Sequence, residues 1–415
     1  MIATMNRTLA IAMIAPFGIR PKGTLAARML PLGQALVRRG HRVTIVAPPI
    51  GNPEDAGTTA VRAGVTLVHT ARVAREPLGL AQQSFALACT ALASGPDLLH
   101  LFKPKGYGGL AALGLRLLRP RLPLVVDSDD WEGWGGWNDL LPYPLPAKWL
   151  FAWQERDLPL RADAVTAASL TLLGRMRAWG VAPERLVYLP NGTHDPQPAG
   201  HGAQIAQIDG QIAQEPGARS QEPGATLLLY TRFWELDVAE VVAALVAIRS
   251  RRPDVRLRLI GRGERGEERE LLRLAERAGV GGAIEYLGWM EPDVIPAALA
   301  AADVALMPMC DTPINRARGL AKLLELMQTG LPIVASRVGM AAEYLTDGAS
   351  GLLVRPGDAG ALAGAALRLL DDPALRARLG VGAREAARAY RWDVLAERAE
   401  DAYRIAVELK TIREH

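Results

Sequence analysis

Two doubly wound α/β domains are what this sequence predicts, and three observations predict them. The chain has 415 residues, too many for one ordinary core. Short apolar runs alternate with longer helix-period stretches along nearly its whole length, the pattern of parallel sheets built from βαβ units. The alternation breaks once, over residues 197–225, where the chain is rich in Gly, Ala, Gln and Pro and QEPGA occurs twice. That composition reads as a flexible inter-domain insertion.

The expected strands of the first domain are LAIAMIA (9–15), RVTIVA (42–47), VTLVH (65–69), DLLHL (97–101), PLVVD (123–127), AVTAA (164–168) and LVYLP (186–190). Those of the second are TLLLYT (226–231), VRLRLI (255–260), AIEYLG (283–288), DVALMP (303–308), LPIVAS (331–336) and GLLV (351–354). From Pro373 to Lys410 the chain reads as helical and carries no strand. The domains are therefore expected at 1–195 and 226–390, with 196–225 as linker and 391–415 as a closing helix. In such sheets ligands sit outside the carboxyl ends of the strands, and two facing domains are expected to share one cleft.

Hydrophobic residues make up 49% of the chain and aromatics only 5%, as in a soluble α/β protein. The net charge of +4 is unevenly spread: residues 1–195 carry 21 Lys and Arg against 14 Asp and Glu, the remainder 27 against 30. A basic first half suits an anionic partner such as a phospholipid surface or a charged acceptor, and no nucleic-acid partner is expected. Cys89 and Cys310 form no CxxC pair, which argues against a disulfide scaffold or a structural zinc site and fits a reducing cytoplasm. The run LAIAMIAPFG leads into the polar loop IRPKGT and reads as a buried strand rather than a signal peptide. No run reaches the roughly 18 apolar residues of a spanning helix.

The stretch NRARGLAKLLELMQTGLPIVAS (315–336) carries chemistry. Leu320, Leu323, Leu324 and Met327 form one apolar helical stripe, which leaves Lys322 and Glu325 together on another face. Gly330 ends the helix. Arg316, Arg318 and Lys322 lie ahead of or inside the first turn, where the helix dipole disfavours cations unless an anion such as a phosphate lies there too. A second cation, Arg232, follows the first strand of the second domain, at the carboxyl edge, and an arginine can grip a diphosphate with two parallel hydrogen bonds. A solvated Lys–Glu pair and a surface Arg are the plain alternatives.

In these and further motifs the chain resembles the family 4 glycosyltransferases of GT-B fold, which are nucleotide-sugar-dependent and retaining. YTRF (230–233), LIGRGE (259–264), Lys322-x-x-Glu325, GLPIVAS (330–336), AAEYLTDGASGLLV (341–354) and Arg391-Trp392-Asp393 carry the resemblance in the second half. RRGHRVTIVAP (38–48), DLLHL, ADAVTAAS (162–169) and YLPNGTH (188–194) carry it in the first. The resemblance implies two Rossmann-like domains facing across a cleft. It implies that Arg232 and Lys322 bind the donor diphosphate, Glu325 the ribose hydroxyls, and that Gly261 and Gly263 line the donor pocket. Gly18 to Gly23 would form a loop reaching the cleft, and the closing helix would cross back to the first domain. No metal or other cofactor is implied; the partners are a nucleotide-sugar donor and a glycan or lipid-linked acceptor. Two positions depart from the family: Ala317 stands where a glutamate usually contacts the donor sugar, and Asp237 where many members have lysine.

VVDSDDWEGWGGWND (125–139) gathers Asp127, Asp129 and Asp130 after the fifth strand. In many relatives this strand ends in a His-Asp pair; Asp129 falls at the His and Asp130 at the Asp. A carboxylate there would orient the acceptor hydroxyl or relay its proton. Asp127-Ser128-Asp129 also spells DxD, the metal motif of a different glycosyltransferase fold. Five of the nine Trp lie between Trp131 and Trp153, and Trp131, Trp134 and Trp137 offer flat faces that suit sugar rings. YPLPAKWLFAW (143–153) has the composition of a membrane interface, so peripheral contact through the first domain is expected. Lys103 and Lys105 in KPKGYGG are candidates for an acceptor phosphate.

The sequence also admits two rival readings. GRGERG (261–266) is a literal GxGxxG between a strand and a helix, with Glu285 near the ribose-binding distance, and invites a dinucleotide-dependent oxidoreductase. A sugar-nucleotide sensor on a degenerate scaffold of the same fold would bind without turnover.

Overall fold

The computed structural model describes residues 7–19, 23–72, 78–193, 224–291 and 294–412. The insertion at 197–225 lies almost wholly outside them, as do the domain boundaries expected at 195 and 196.

The chain divides into two units: Met1–Gly192 with Arg316–Gly319 and Trp392–His415, and Thr193–Asn315 with Leu320–Arg391. The first unit runs β1 (Ala10–Ile14), α1 (Leu30–Arg38), β2 (Arg42–Ala47), β3 (Thr59–Arg62), β4 (Val65–His69), α2 (Leu78–Ala93), β5 (Leu98–Phe102), α3 (Gly106–Leu118), β6 (Leu124–Ser128), α4 (Leu145–Arg161), β7 (Ala164–Ala167), α5 (Leu170–Ala178) and β8 (Leu186–Tyr188). Its sheet has the order β3-β4-β2-β1-β5-β6-β7-β8. Every pairing is parallel except β3 with β4. The central strands are buried on both faces, as continuous apolar runs require. Leu87, Ala111, Leu115 and Leu158, from α2, α3 and α4, pack on one face. Leu32 and Leu36 of α1 pack on the other.

The strand absent from the sequence reading is β3. All four of its residues are exposed, so it lacks the apolar signal that marks the others. It is tied to β4 by a two-residue turn, Ala63-Gly64, with φ of 47° and 84°. Both values are those of a type I′ hairpin turn, and alanine is a poor advertisement for one.

The second unit runs β9 (Thr226–Tyr230), α6 (Val238–Arg251), β10 (Arg256–Ile260), α7 (Glu267–Arg277), β11 (Ile284–Gly288), β12 (Val304–Met307), α8 (Ala321–Thr329), β13 (Ile333–Ser336), β14 (Leu352–Val354), α9 (Ala359–Asp371) and α10 (Pro373–Arg388). The sheet order is β11-β10-β9-β12-β13-β14, all parallel. The order reverses at β9, so the crevice that such a sheet offers a ligand opens beside the carboxyl end of β9. A final helix, α11 (Trp392–Ile412), places Trp392, Leu395, Ala399 and Tyr403 in the core of the first unit. Among the described residues no helix is long and apolar enough to cross a membrane.

Candidate functional site

Tyr230 is the last residue of β9, at the switch point of the second sheet, and two side chains of α8 meet on it. Its hydroxyl donates to Glu325 Oε2 at 3.0 Å. The Lys322 ammonium lies 4.4 Å from the centre of its ring, a cation–π contact. The charge of Arg232, two residues on, also reaches it. Burial, then the neighbouring Glu325 carboxylate, raise the Tyr230 pKa, so the hydroxyl keeps its proton and remains a donor. Arg232 is exposed, while Lys322 and Glu325 are half-buried.

Helix α8 has Ala321 as its first residue and Gly330 just past its end, in the left-handed conformation at φ 70°. Leu323, Leu324 and Met327 are buried as the stripe requires. Lys322 is thus the second helical residue, beside the N–H groups that helix geometry leaves without internal partners. Lys322 meets Tyr230 at the positive end of a helix, and the charge of Arg232, from a segment 90 residues earlier, also acts on that tyrosine.

Two of the nominated glycines have different neighbourhoods. Gly261 follows β10 with φ 127°, and a Cβ there would come within 1.8 Å of the Thr231 carbonyl. Only glycine lets the loops after β9 and β10 approach so closely, right beside Arg232. Gly263 donates its N–H to Glu268 at 3.0 Å, and Arg265 N–H goes to Glu267 at 2.9 Å. A dinucleotide would need such N–H groups for its pyrophosphate, and here α7 opens with Glu267, Glu268 and Glu270 instead. Glu285, the ribose candidate of that reading, pairs with Arg258 at 2.8 Å. The literal GxGxxG therefore has a self-satisfied loop without the chemistry of the motif.

The departures from the family pattern have local accounts. Asp237 accepts from Ala239 N–H at 2.9 Å and caps α6. Ala317 is fully buried, so the usual glutamate side chain has no open place there.

In the first unit, the loop ends of β5 and β6 hold a second constellation. Lys103 has φ 55°, an uncommon value for a non-glycine residue. Its ammonium lies 3.1 Å from Asp129 Oδ1 and 2.8 Å from Glu132 Oε1, and also meets Asp130. Lys105 pairs with the other oxygen of Glu132 and sits 5.4 Å from the ring centre of Tyr143. Asp129 accepts in addition from Thr24 Oγ1 at 3.0 Å. Burial alone would lower the Lys103 pKa, but the three carboxylates outweigh it and hold it well above the usual value. Glu132 is opposed by burial yet lowered to about 2 by the two lysines. Asp130 is raised, by burial first and then by Asp129 and Glu132.

In place of the acceptor-phosphate contact expected of them, Lys103 and Lys105 are buried and engaged by carboxylates of their own chain. Asp129, Asp130 and Glu132 form a group with the spacing of a metal site, and the Lys103 ammonium stands among them. Asp127 differs from its neighbours. It is fully buried, gripped by Arg28 through two hydrogen bonds of 2.6 and 2.8 Å, and receives Thr166 Oγ1 at 2.5 Å. Enclosed in this way it cannot reach an acceptor, and it cannot serve the metal-binding DxD reading. Arg28 also donates to the carbonyls of Leu189 and Pro190 at 2.7 and 3.1 Å, tying the end of β8 to the same centre.

Trp131 offers less open aromatic face than expected: the Arg175 guanidinium stacks 3.4 Å from its ring centre. Arg175 pairs in turn with Glu155 at 3.1 Å, and Glu155 accepts the N–H groups of Glu132 and Gly133. Gly18 has Asn52 and the Ile50 carbonyl where a Cβ would go, at 2.3 and 2.9 Å, so the loop after β1 needs glycine there. Gly23 accepts from Ala27 N–H at 2.8 Å at the start of the next helical turn; positions 20–22 between them lie outside the described residues.

Sequence reasoning missed Tyr230, Arg28, Glu132, Glu155 and Arg175. Tyr230 stood in YTRF and at the end of a leucine-rich strand, but neither signal gave it a role. The others find partners between 20 and 163 residues away, which no local pattern reports.

The chain is similar to known proteins along nearly its whole length. The family model for glycosyl transferases group 1 matches residues 225–372, and that for the glycosyl transferase 4-like domain matches residues 23–192. The phosphatidyl-myo-inositol mannosyltransferase of Mycobacterium leprae is 26% identical over 401 residues, covering 95% of this chain and 96% of that protein. The D-inositol 3-phosphate glycosyltransferase of Corynebacterium glutamicum is 32% identical over 171 residues, 40% of each chain. Among solved structures, the sucrose-phosphate synthase of Thermosynechococcus elongatus matches with a TM-score of 0.69 at 24% identity, covering 96% of this chain and 98% of that one, a likeness of fold. With one family model on each unit and a relative aligned along nearly the full length, the chain belongs to the family 4-type glycosyltransferases of GT-B fold.

Proposed function

We propose that this enzyme transfers a hexosyl group, with retention of anomeric configuration, from a nucleoside diphosphate sugar to a hydroxyl of a glycan or lipid-linked acceptor. The observation that carries the donor side is the meeting of Lys322 and Glu325 on Tyr230, two residues before Arg232. Arg232 and Lys322 neutralise the diphosphate and the charge that builds on it as it departs. Glu325 takes the ribose hydroxyls. The anomeric C–O bond to the diphosphate breaks, a C–O bond to the acceptor oxygen forms, and the hydroxyl proton passes to the leaving phosphate oxygen. Because the leaving group takes that proton, no strong base is needed. Asp130, whose side chain keeps 20% of its surface exposed, orients the acceptor hydroxyl, and Asp129 holds the loop through Thr24.

Two cations at the diphosphate and an ammonium already among the first unit's carboxylates support a transfer that needs no metal. The test is to incubate the full-length protein with a panel of nucleoside diphosphate hexoses and with inositol, phosphatidylinositol and oligosaccharide acceptors, with and without EDTA. An α-linked product from an α-linked donor, formed equally in chelator, is expected. Inversion, dependence on manganese, or nucleotide binding with no product from any pair would overturn the reading.

The acceptor side also has a surface suited to a lipid. Helix α4 exposes Leu145, Trp149 and Trp153 at i, i+4 and i+8, with 66%, 66% and 47% of their surfaces open. Trp134 meets Trp149 edge-on at 5.6 Å, and Arg156 is exposed on the same helix. Aromatics interspersed with cations are the composition of a peripheral membrane contact. Co-sedimentation with phosphatidylglycerol vesicles is expected, and its persistence in a Trp149→Ser, Trp153→Ser double variant would remove α4 from that role.

A further inference from the structure

We propose that Tyr230 is the positioning residue of the donor site, holding Glu325 for the ribose with its hydroxyl and Lys322 for the diphosphate with its ring. The proposal rests on the reading that these two residues bind the donor. Lys322 and Glu325 stand three residues apart on α8, on long side chains with several rotatable bonds each. A site that must meet a diphosphate and a sugar at fixed separation needs both held in place.

Tyr230 has the means to hold both. It is only 7% exposed and is anchored in the central strand of its sheet, opposite Ile260 of β10. Its hydroxyl gives Glu325 Oε2 a donor at 3.0 Å, which fixes the carboxylate plane while an acidic side chain still has further lone pairs for hydroxyl donors. Its ring faces the Lys322 ammonium at 4.4 Å. A π face attracts a cation without neutralising it, so this contact orients the lysine without consuming its charge. One rigid side chain with two torsions thereby sets two flexible ones. Its undissociated hydroxyl fits this role: burial and the Glu325 charge keep the proton on oxygen.

The two halves of the side chain can be separated experimentally. Tyr230→Phe keeps the ring and removes the hydroxyl; Tyr230→Leu removes both. Affinities of the full-length variants are measured by calorimetry for UDP and GDP, for their 2′,3′-dideoxy analogues, and for inorganic pyrophosphate. In Tyr230→Phe, binding of the better ribonucleoside diphosphate is expected to weaken about fivefold to tenfold, as for a lost hydrogen bond to a charged group. Pyrophosphate binding is expected to stay unchanged, and the preference for ribo- over dideoxy-nucleotide to shrink. In Tyr230→Leu, pyrophosphate binding is expected to weaken as well. Glu325→Ala separates the possible failures. If Glu325→Ala loses the ribose preference but Tyr230→Phe keeps it in full, the positioning role is refuted and the donor reading survives. If Glu325→Ala itself keeps the ribose preference, both fall.

Discussion

The two units each gather lysines and carboxylates at the carboxyl edge of a parallel sheet, and they use them in opposite ways. In the first, Lys103 and Lys105 are buried against Asp129, Asp130 and Glu132, and the hydrogen-bonding capacity of the lysines goes into the protein itself. In the second, Lys322 rests on an aromatic face, Glu325 accepts from a tyrosine, and Arg232 is exposed. A charge cluster closed on itself holds loops in place. A cluster braced in part by a neutral tyrosine suits a ligand's charge. Both would look alike in a sequence, as cations near acids after strands.

Exchanging the symptoms of paired substitutions is the sharpest way to break this comparison. Lys103→Met takes the ammonium from buried Asp129 and Glu132 and half-buried Asp130 and should destabilise the first unit by about 3–5 kcal/mol. Thermal melting should show it as a drop of about 10 °C or more. Arg232→Ala should do the converse: a melting temperature within about 1 °C of wild type, and a loss of kcat/KM of about 100-fold or more, near 3 kcal/mol of transition-state stabilisation. An unstable Arg232→Ala, or a thermally unaltered Lys103→Met, would erase the distinction.

A smaller effect sharpens the comparison by adding a carboxylate with no lysine at all. Glu240 on α6 is buried, and burial foremost, then Asp237 and Asp358, raises its pKa to about 7, against the Gly357 N–H. A raised acid binds its proton more tightly when folded, so this group's contribution to stability is greatest below its ordinary value near 4.5 and declines as pH rises to 7. Glu240→Gln should remove that decline and stabilise the protein at pH 8 by about 1 kcal/mol, after allowance for partial solvent screening. Denaturant melts at pH 5 and pH 8 would check it; equal effects at both would reject the titration account. Glu132 behaves oppositely: lowered to about 2, its pairing is intact above the ordinary carboxylate range and fails only as pH falls toward 2.

Much of this was legible beforehand because periodicity is local. Thirteen strand positions could be found from short apolar runs bounded by polar turns, and α8 from a stripe of four apolar residues. Strand β3 escaped because an exposed edge carries no such run. The proposed donor residues Arg232, Lys322 and Glu325 were visible through motif spacing, but the tyrosine that meets the last two was not, since nothing in TLLLYT says that it meets a helix almost a hundred residues later. The lysines of KPKGYGG misled for the same reason: positive charge is written in the sequence, and its buried counter-charges at Asp129, Asp130 and Glu132 are assigned only by folding. Arg28 and Asp127, 99 residues apart, are the extreme case.

The last helix has a consequence for how the chain is made. Trp392 and Tyr403 lie in the interior of the first unit, and Tyr403 meets His100 of β5 with a 2.9 Å hydrogen bond. Synthesis runs from the amino end, so the unit begun first waits for its last helix: its hydrophobic interior stays open on the ribosome until residues 392–412 emerge, after every strand of its neighbour has been translated. A nascent chain of this kind exposes a greasy gap for the whole interval in between, which makes it a natural client for holdase chaperones.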